Sequence, residues 1–470
     1  MSTLLNALQT AGNALDVFER QIGVVQDNVV NASTPGYAKQ QLSVSALPLL
    51  AGSGFAGGIQ ANGIENARSQ FAEASVRDAL TQQGYATQRA STLGSIESVF
   101  DITGQSGLSK AINDLFSACS SWSEAPTDIT QRQGVINAAQ SFVVNANQTA
   151  ADLRLYSAQV HQGLSGQIVA VNNLTQEISA INRSNQGNPN AASANDSELN
   201  SALEQLSQIV NFSTLTASDG TTTVLLDGQI PLVVGGRSYP VSLSMVAAGT
   251  NSSPAEAHLL DAGGNDITAH ATGASLGGLL SVSTGELAAL LGNSTSNGSL
   301  NDLVTALASK VNSLLTGGQI DQNATPTMGV ALFSVSTDAT SAATLSLNAA
   351  CDATQLAAIA GGPPLVSNGI ANQLASLAKD TSTMPGGLSF IEYFGKVAAD
   401  VGTRVNTAQT AKTRQTQLVS QAKSLRTQIS GVSLNDEAAR LTELQQAYQA
   451  SSRVFTVVSQ LMDELMHLIN

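Results

Sequence analysis

Two short motifs in this 470-residue chain have the form of reaction or cofactor sites, and each can be checked against the partners its chemistry requires. Gly52-Ser53-Gly54-Phe55-Ala56-Gly57 fits G-x-G-x-x-G, in which bare backbone approaches a dinucleotide pyrophosphate. That use needs a strand before the first glycine and a helix opening at the third. Gly58-Ile59-Gln60-Ala61-Asn62-Gly63 follows instead, an extended, turn-like run, so no cofactor is expected. Gly273-Ala274-Ser275-Leu276-Gly277 has the spacing of the turn that presents a hydrolase serine. Such a serine needs an acid and then a histidine later in the chain. The only later histidine is His467, on the side of the last helix away from its apolar residues. The preferred reading is a glycine-rich turn with Ser275 capping the helix of Leu279 and Leu280. A secreted hydrolase using Ser275 is the alternative from another class.

His161, His258, His270 and His467 lack the paired short spacings of zinc ligands. Cys119 closes a helical-period run of Leu108, Ile112, Leu115 and Phe116, which puts it in a core; Cys351 stands in an unrelated context. No catalytic, cofactor-binding or metal-binding residue is therefore assigned, and the chain is not read as an enzyme. With 34 acidic against 20 basic residues and a formal charge of -14, a nucleic-acid surface is not expected. No run reaches the roughly 18 apolar residues of a membrane span. The N-terminus lacks the basic start and short apolar block of a cleaved secretory signal.

The residues that do carry a pattern are at the two ends. Leu4, Leu8, Ala11, Leu15, Phe18, Ile22, Val25 and Val29 alternate steps of four and three. Leu441, Leu444, Tyr448, Ser451, Phe455, Val458, Met462, Leu465 and Ile469 do the same. Each draws one apolar seam along a helix that packs lengthwise against others. Ala447, Val454, Leu461 and Leu468 recur every seven residues beside the second seam, while Leu5, Val17 and Val24 lie off the first. A helix with apolar residues on more than one side must be covered on more than one side. Neighbouring subunits are the expected cover, so the pattern reads as self-assembly.

The first helix is expected from Ser2 or Thr3 to about Val30, ending at Asn31-Ala32-Ser33-Thr34-Pro35-Gly36-Tyr37, where Pro35 disfavours helix at Thr34 and Gly36 allows a sharp turn. Residues 38–63 read as extended pieces, and 64–210 as mostly helical. Within that stretch, Val135, Ala139, Phe142, Ala146, Thr149, Leu153, Tyr156 and Val160, then Leu164, Ile168, Val171, Ile178 and Ile181 after a slip near Gly163, imply one helix, or two nearly collinear ones, of about fifty residues. That far exceeds the ~11–12 residue average. Hairpins follow over 211–245, helix returns near 276–280 and 303–314, a second β-like passage covers 317–366, and helix dominates from 370.

The fold class is therefore α+β: an elongated bundle of long helices with paired N- and C-terminal helices and an inserted β-rich outer domain. Residues 1–35 and 435–470 form a terminal coiled-coil core; 36–210, 271–316 and 367–434 form a helical body; 211–270 and 317–366 form the β-rich insertions.

Asn28-Val29-Val30-Asn31-Ala32-Ser33-Thr34-Pro35-Gly36-Tyr37 resembles the N-N-I-x-N-x-x-T-P-G-Y signature of flagellar rod, hook and hook-associated proteins. Gly431-Val432-Ser433-Leu434-Asn435-Asp436-Glu437, then Leu444-Gln445-Gln446-Ala447-Tyr448-Gln449-Ala450 and Arg453-Val454, resemble that superfamily's C-terminal signature. Residues 199–210, Asp219-Gly220, Leu226-Asp227-Gly228-Gln229, Leu276-Gly277-Gly278-Leu279-Leu280, Val311-Asn312 and Leu332-Phe333 are similar to blocks of its hook–filament junction family. Departures are Val30 in place of Ser or Ala and the lack of the usual Asp-Gln-Arg cluster at 196–199.

The resemblance implies a structural axial protein of the bacterial flagellum at the junction of hook and filament; another hook or distal-rod axial protein is the runner-up. It implies helical assembly with copies of itself, contact with the hook protein and with the next junction protein, and an export chaperone at the C-terminal segment. It also implies an extracellular location reached without a cleaved signal peptide, and no cofactor. Asn28, Asn31, Pro35, Gly36 and Tyr37 would shape the loop, and Leu15, Phe18, Ile22, Val25, Leu444, Tyr448, Phe455, Val458, Met462 and Leu465 the packing.

Overall fold

The architecture is taken from a computed structural model, which describes residues 2–34, 36–47, 58–100, 105–248 and 253–469. The chain divides into two units: residues 1–82, 171–240 and 415–470 make the first, and 83–170 with 241–414 the second.

The first unit contains both chain ends. Helix α1, Ser2–Val30, packs against α13, Leu434–Ile469. Strands β1, Gln40–Ala46, and β2, Ile59–Asn66, pair antiparallel, with a register shift between Ser43 and Val44. Helix α2, Gln70–Glu97, begins in this unit and continues into the other; its Val76 and Leu80 are buried with Val419 and Ala422 of α12, Phe390–Ser430. Helix α4, Ile129–Asn185, is a single helix through the slip at Gly163 and ends in this unit. After α5, Pro189–Ala194, helix α6, Asp196–Ile209, opens with Asp196 and Glu198 in its first turn, where acids oppose the helix dipole. A four-stranded antiparallel sheet follows in the order β3-β4-β5-β6: Phe212–Thr216, Thr222–Leu226, Ile230–Val234 and Arg237–Ser238. Asn182, fully buried at the end of α4, seats this sheet by donating to the carbonyls of Thr222 and Gly235 and accepting from Thr222 N–H.

The second unit holds α3, Gly107–Glu124, most of α4, the hairpin β7–β8, Ser242–Ala248 with Ser253–Leu260, and α7, Ala274–Ser281. A π-helical turn, Val282–Leu287, joins α7 to α8, Ala288–Leu291; then come α9, Ser299–Thr316, and α11, Gly369–Ser376. Its few aromatics meet in pairs, Phe116 with Phe390, Phe100 with Phe394 and Phe142 with Phe333, at centroid distances of 6.2, 5.9 and 5.8 Å. Buried Glu286 accepts from Arg89 of α2 and from Arg404 of α12, tying these helices together.

One element differs from the sequence expectation. Residues 317–366 hold only the two-residue strands β9, Phe333–Ser334, and β10, Ser346–Leu347, around the single turn α10, Ser341–Thr344. The rest is turns joined by isolated bridges such as Gln319 with Ile359. Asp338, Asn348 and Asp352 each accept from backbone N–H groups two residues on, which fixes turns where strands were expected.

The G-x-G-x-x-G motif at 52–57 lies outside the described residues. Ser275 does not cap α7: Gly273 is the N-cap residue, and Ser275 is half-buried inside the first turn. His467 is exposed on α13. His161 Nε2 is 3.3 Å from Ser283 Oγ, and His258 Nδ1 is 2.7 Å from Asp266. Burial pushes the Cys119 thiol up to about 12, and Cys351, half-buried beside Asp352, to about 11.

Candidate assembly site at the paired chain ends

Helix α1 ends because the chain cannot continue through Thr34-Pro-Gly. Asn31 secures the stop from both sides. Its Nδ2 donates to the Asp27 carbonyl at 3.0 Å and its Oδ1 accepts from the Thr34 hydroxyl at 3.1 Å. Gly36 then takes φ +79°, a left-handed conformation that favours glycine. A Cβ at Gly36 would lie 3.2 Å from the Ser197 carbonyl, so the loop sits tightly against the start of α6. Arg68 clamps the same place: its guanidinium donates to the Gly36 carbonyl, Asp196 and Glu73 at 2.6–2.8 Å. Arg426 of α12 reaches Glu73 at 3.4 Å and also pairs with Glu204.

The turn returns the chain to Asn28, which is 1% exposed and uses its whole side-chain amide. Nδ2 donates to the Gln40 carbonyl at 2.9 Å and to Glu437 Oε2 at 3.1 Å. Oδ1 accepts from Tyr37 Oη at 2.9 Å and from Gln40 N–H at 2.8 Å. One side chain thus joins α1, the loop, β1 and α13. Glu437, 0% exposed, takes its counter-charge from Lys39 Nζ at 2.7 Å. Lys39 N–H donates to the Ser430 carbonyl, and Ser69 N–H to Ser430 Oγ, so the α12–α13 bend is held by the residues that flank the β1–β2 hairpin. Burial first, then the nearby Asp27 and Glu437 charges, push the Tyr37 phenol up to about 12.

Along the helix pair, Val25, Asn28 and Leu444 are buried. Leu15, Phe18, Ile22, Asn31, Gly36, Tyr37, Phe455, Val458, Met462 and Leu465 are half-buried, and Tyr448 is exposed. A Cβ at Gly12 would lie 3.8 Å from the Phe455 ring, which places that ring against α1. Pro35 and the side chains of Leu468 and Ile469 lie outside the described residues.

The cover of α1's second side differs from the expectation. Val17 and Val24 are buried against Leu42 of β1, with Ile59 and Ala61 of β2 beside them. The chain's own hairpin covers this side, not a neighbouring subunit. On α13 no such cover is present among the described residues: Val454, Val457 and Leu461 are 48–55% exposed, and Met466 is exposed too.

Sequence reasoning passed over Lys39, Arg68, Glu73, Asp196 and Arg426. The available signal was scarcity: at 11% charged residues, each charge near a motif deserved a partner. Glu437 had a further one, as an acid in the first turn of a helix whose Asp436 N–H faces Ser433 Oγ at 3.4 Å.

Among the described residues no group of His, Cys, Asp and Glu is placed to hold a metal ion. What the site offers is docking of helices and a loop, not bond chemistry.

Comparison with known proteins agrees with that character. The profile of the flagellar hook-associated protein FlgK helical domain matches residues 93–333, and the C-terminal region of the flagellar basal body rod FlgEFG proteins matches residues 424–468. Flagellar hook-associated protein 1 of Bacillus subtilis is 22% identical over 509 residues, covering 99% of both chains. That of Escherichia coli is 22% identical over 559, covering 100% of both. The flagellar hook junction protein FlgK from Burkholderia pseudomallei has a similar fold, with a TM-score of 0.65 at 14% identity over 76% of this chain and 100% of that one. It bears out the α+β class of long helices with small sheets. With the helical-domain match spanning just over half of its length, the chain belongs to the flagellar hook-associated protein FlgK family, structural components of the bacterial flagellum and not enzymes.

Proposed function

We propose that this chain forms the junction between flagellar hook and filament by helical assembly with its own copies. Residues 1–35 and 435–470 make its inner core; 36–210, 271–316 and 367–434 make the helical body; 211–270 and 317–366 face outward. The observation that carries this reading is the asymmetry of the terminal pair. Helix α1 is covered by α13 and by its own hairpin, whereas α13 leaves Val454, Val457 and Leu461 exposed along one face. Each such side chain is worth roughly 1.5–3 kcal/mol when fully buried. A row of them on one helix favours a second helical surface of the same kind.

The hook protein on one side and the next junction protein on the other are the partners this role requires. The same uncovered stripe gives a flagellar export chaperone something to hold before the protein leaves the cell. Its working location is then extracellular, reached by the flagellar export route.

The test is Val454→Asp combined with Leu461→Asp, returned to cells lacking the native gene. Both positions are exposed, so the single chain should fold, and its amount in the medium separates failed assembly from failed export. Hooks without filaments, and flagellin lost to the medium, are the expected result. Full-length filaments would refute the reading.

A further inference from the structure

The last two turns of α12 are held within the first unit by very little packing. Val419 and Ala422 are buried against Val76 and Leu80 of α2. Between Ala422 and Ser430 every side chain but Arg426 is exposed, Leu425 and Ile429 included. Two polar attachments fix this stretch. Arg426 holds Glu73 of α2 and Glu204 of α6, and Ser430 accepts from the Lys39 and Ser69 N–H groups.

A second arginine stands beside the same two acids. Arg77 follows Glu73 by one turn of α2, and residues four apart on a helix are neighbours. Helix α6 runs alongside in the same direction: Arg68, just before α2, bonds Asp196, and Thr81 Oγ1 donates to the Ser207 carbonyl. Those two levels bring Glu204 beside Arg77. The Arg77 guanidinium is half-buried, yet it has no hydrogen bond or ion pair among the described residues. Burial pushes it below its ordinary value, although Glu73, Asp78 and Glu204 pull the other way. Burial opposes the Arg426 charge as well, but Glu204 and Glu73 more than offset it and hold that group above its ordinary value.

Two arginines thus share one pair of acids, and only one of them is bound. We propose that the end of α12 is a joint: it is locked while Arg426 holds Glu73 and Glu204, and released when Arg77 takes those acids in its place. The exchange needs only side-chain rotation on α2, because Arg68 keeps Glu73 in position throughout. It leaves neither acid unpaired in either state, and stranding a poorly hydrated acid is what would otherwise oppose release. A two-state element of this kind lets the chain turn from α12 into α13 in a direction set by what α13 packs against. That use rests on the junction reading; the exchange itself is a property of the single chain.

Hydrogen exchange of the full-length chain in solution tests the joint. The Lys39 and Ser69 amides report the lock, and the Gln40 amide, bonded to Asn28, reports the stability of the same unit. Arg77→Gln removes the partner of the released state, so protection at Lys39 and Ser69 should rise about tenfold relative to Gln40. Arg426→Gln should lower it about tenfold relative to Gln40, because Arg77 takes the acids and the unit stays folded. With both arginines replaced, Glu204 has no partner and Glu73 keeps only Arg68. Gln40 protection should then fall about tenfold further than the two single effects combined. Adding Glu204→Gln to that double variant should recover most of the loss. An unchanged ratio in Arg77→Gln, an additive double variant, or an Arg426→Gln chain that does not fold would overturn the joint. The junction reading is tested separately, by the double aspartate variant of α13, and does not depend on these results.

Discussion

Asn28→Ala removes four hydrogen bonds at one atom group, and the structure says what each loss leaves behind. Gln40 loses a partner for both its N–H and its C=O, Tyr37 loses the acceptor of its hydroxyl, and Glu437 loses one of its donors. A buried polar group without a partner costs about 1–3 kcal/mol. The Tyr37 hydroxyl can rotate to another partner and Glu437 keeps Lys39, whereas the strand fixes the direction of the two Gln40 backbone groups, so these dominate. The expected loss is roughly 3–4 kcal/mol, at the large end for a single change. Trp122, the sole tryptophan, sits in the second unit and would miss it. Hydrogen exchange is the suitable assay, because the Gln40 amide is itself a partner and should lose about a hundredfold or more in protection. Asn28→Asp sharpens the test. It keeps the acceptor for Tyr37 but sets an oxygen where Nδ2 stood, 3.1 Å from Glu437, so it should be at least as harmful as alanine. An aspartate that folds like the parent, or an alanine costing under about 0.5 kcal/mol, would refute the account of this node.

Lys39→Met strands Glu437 as a fully buried charge and should cost about 3–5 kcal/mol, whereas Glu437→Gln lets partly exposed Lys39 turn to water and should cost about 1–2 kcal/mol; exchange from α13 amides gives the order, and the reverse order would contradict the burial argument. Tyr37 should be a late tyrosine in an ultraviolet titration, ionising near pH 12 and missing in Tyr37→Phe. Because folding favours the neutral phenol, its stabilisation is complete below the ordinary value of 10 and is lost as pH climbs from 10 to about 12. In the second unit, Gly298 has φ +85°, and a Cβ there would fall on the backbone nitrogen of Gly292. Gly298→Ala should cost at least about 2 kcal/mol, read as a lower melting midpoint in Trp122 fluorescence; an unchanged midpoint would count against that close approach.

The long helices were legible because the pattern that makes them is local. Leu4 to Val29 and Val135 to Ile181 repeat at helical spacing, and α1 and α4 span those residues. The hairpin over α1 was not legible as cover for Val17 and Val24. Strand pairing depends on register between distant residues, and nothing in Leu42 or Ile59 names the helix each will meet. The node was half legible. Asn28 and Tyr37 stood inside a recognisable motif, but Glu437 is 409 residues from Asn28, and no spacing rule reaches that far. Residues 317–366 were misread because glycine, proline and short apolar runs suit turns as well as strands; the Asp and Asn side chains that accept from nearby N–H groups decided for turns.

The asymmetry of the terminal pair also bears on how assembly begins. Three exposed apolar side chains on one face of α13, Val454, Val457 and Leu461, each worth roughly 1.5–3 kcal/mol at full burial, set an upper limit on what two copies gain through this stripe. Joining two free molecules costs an estimated 4–15 kcal/mol in lost motion, which is of the same size. Two copies meeting alone therefore gain little. A copy arriving at an end already built can bury the stripe against one neighbour and other surface against a second while losing its freedom once. The balance then favours addition to an existing end over pairing in solution, which is the behaviour a junction needs if it is to form only where the hook stops. Because the α1 side is already closed by its own hairpin, that preference rests on α13, and charge placed on α1's Val17 face should disturb folding before it disturbs assembly.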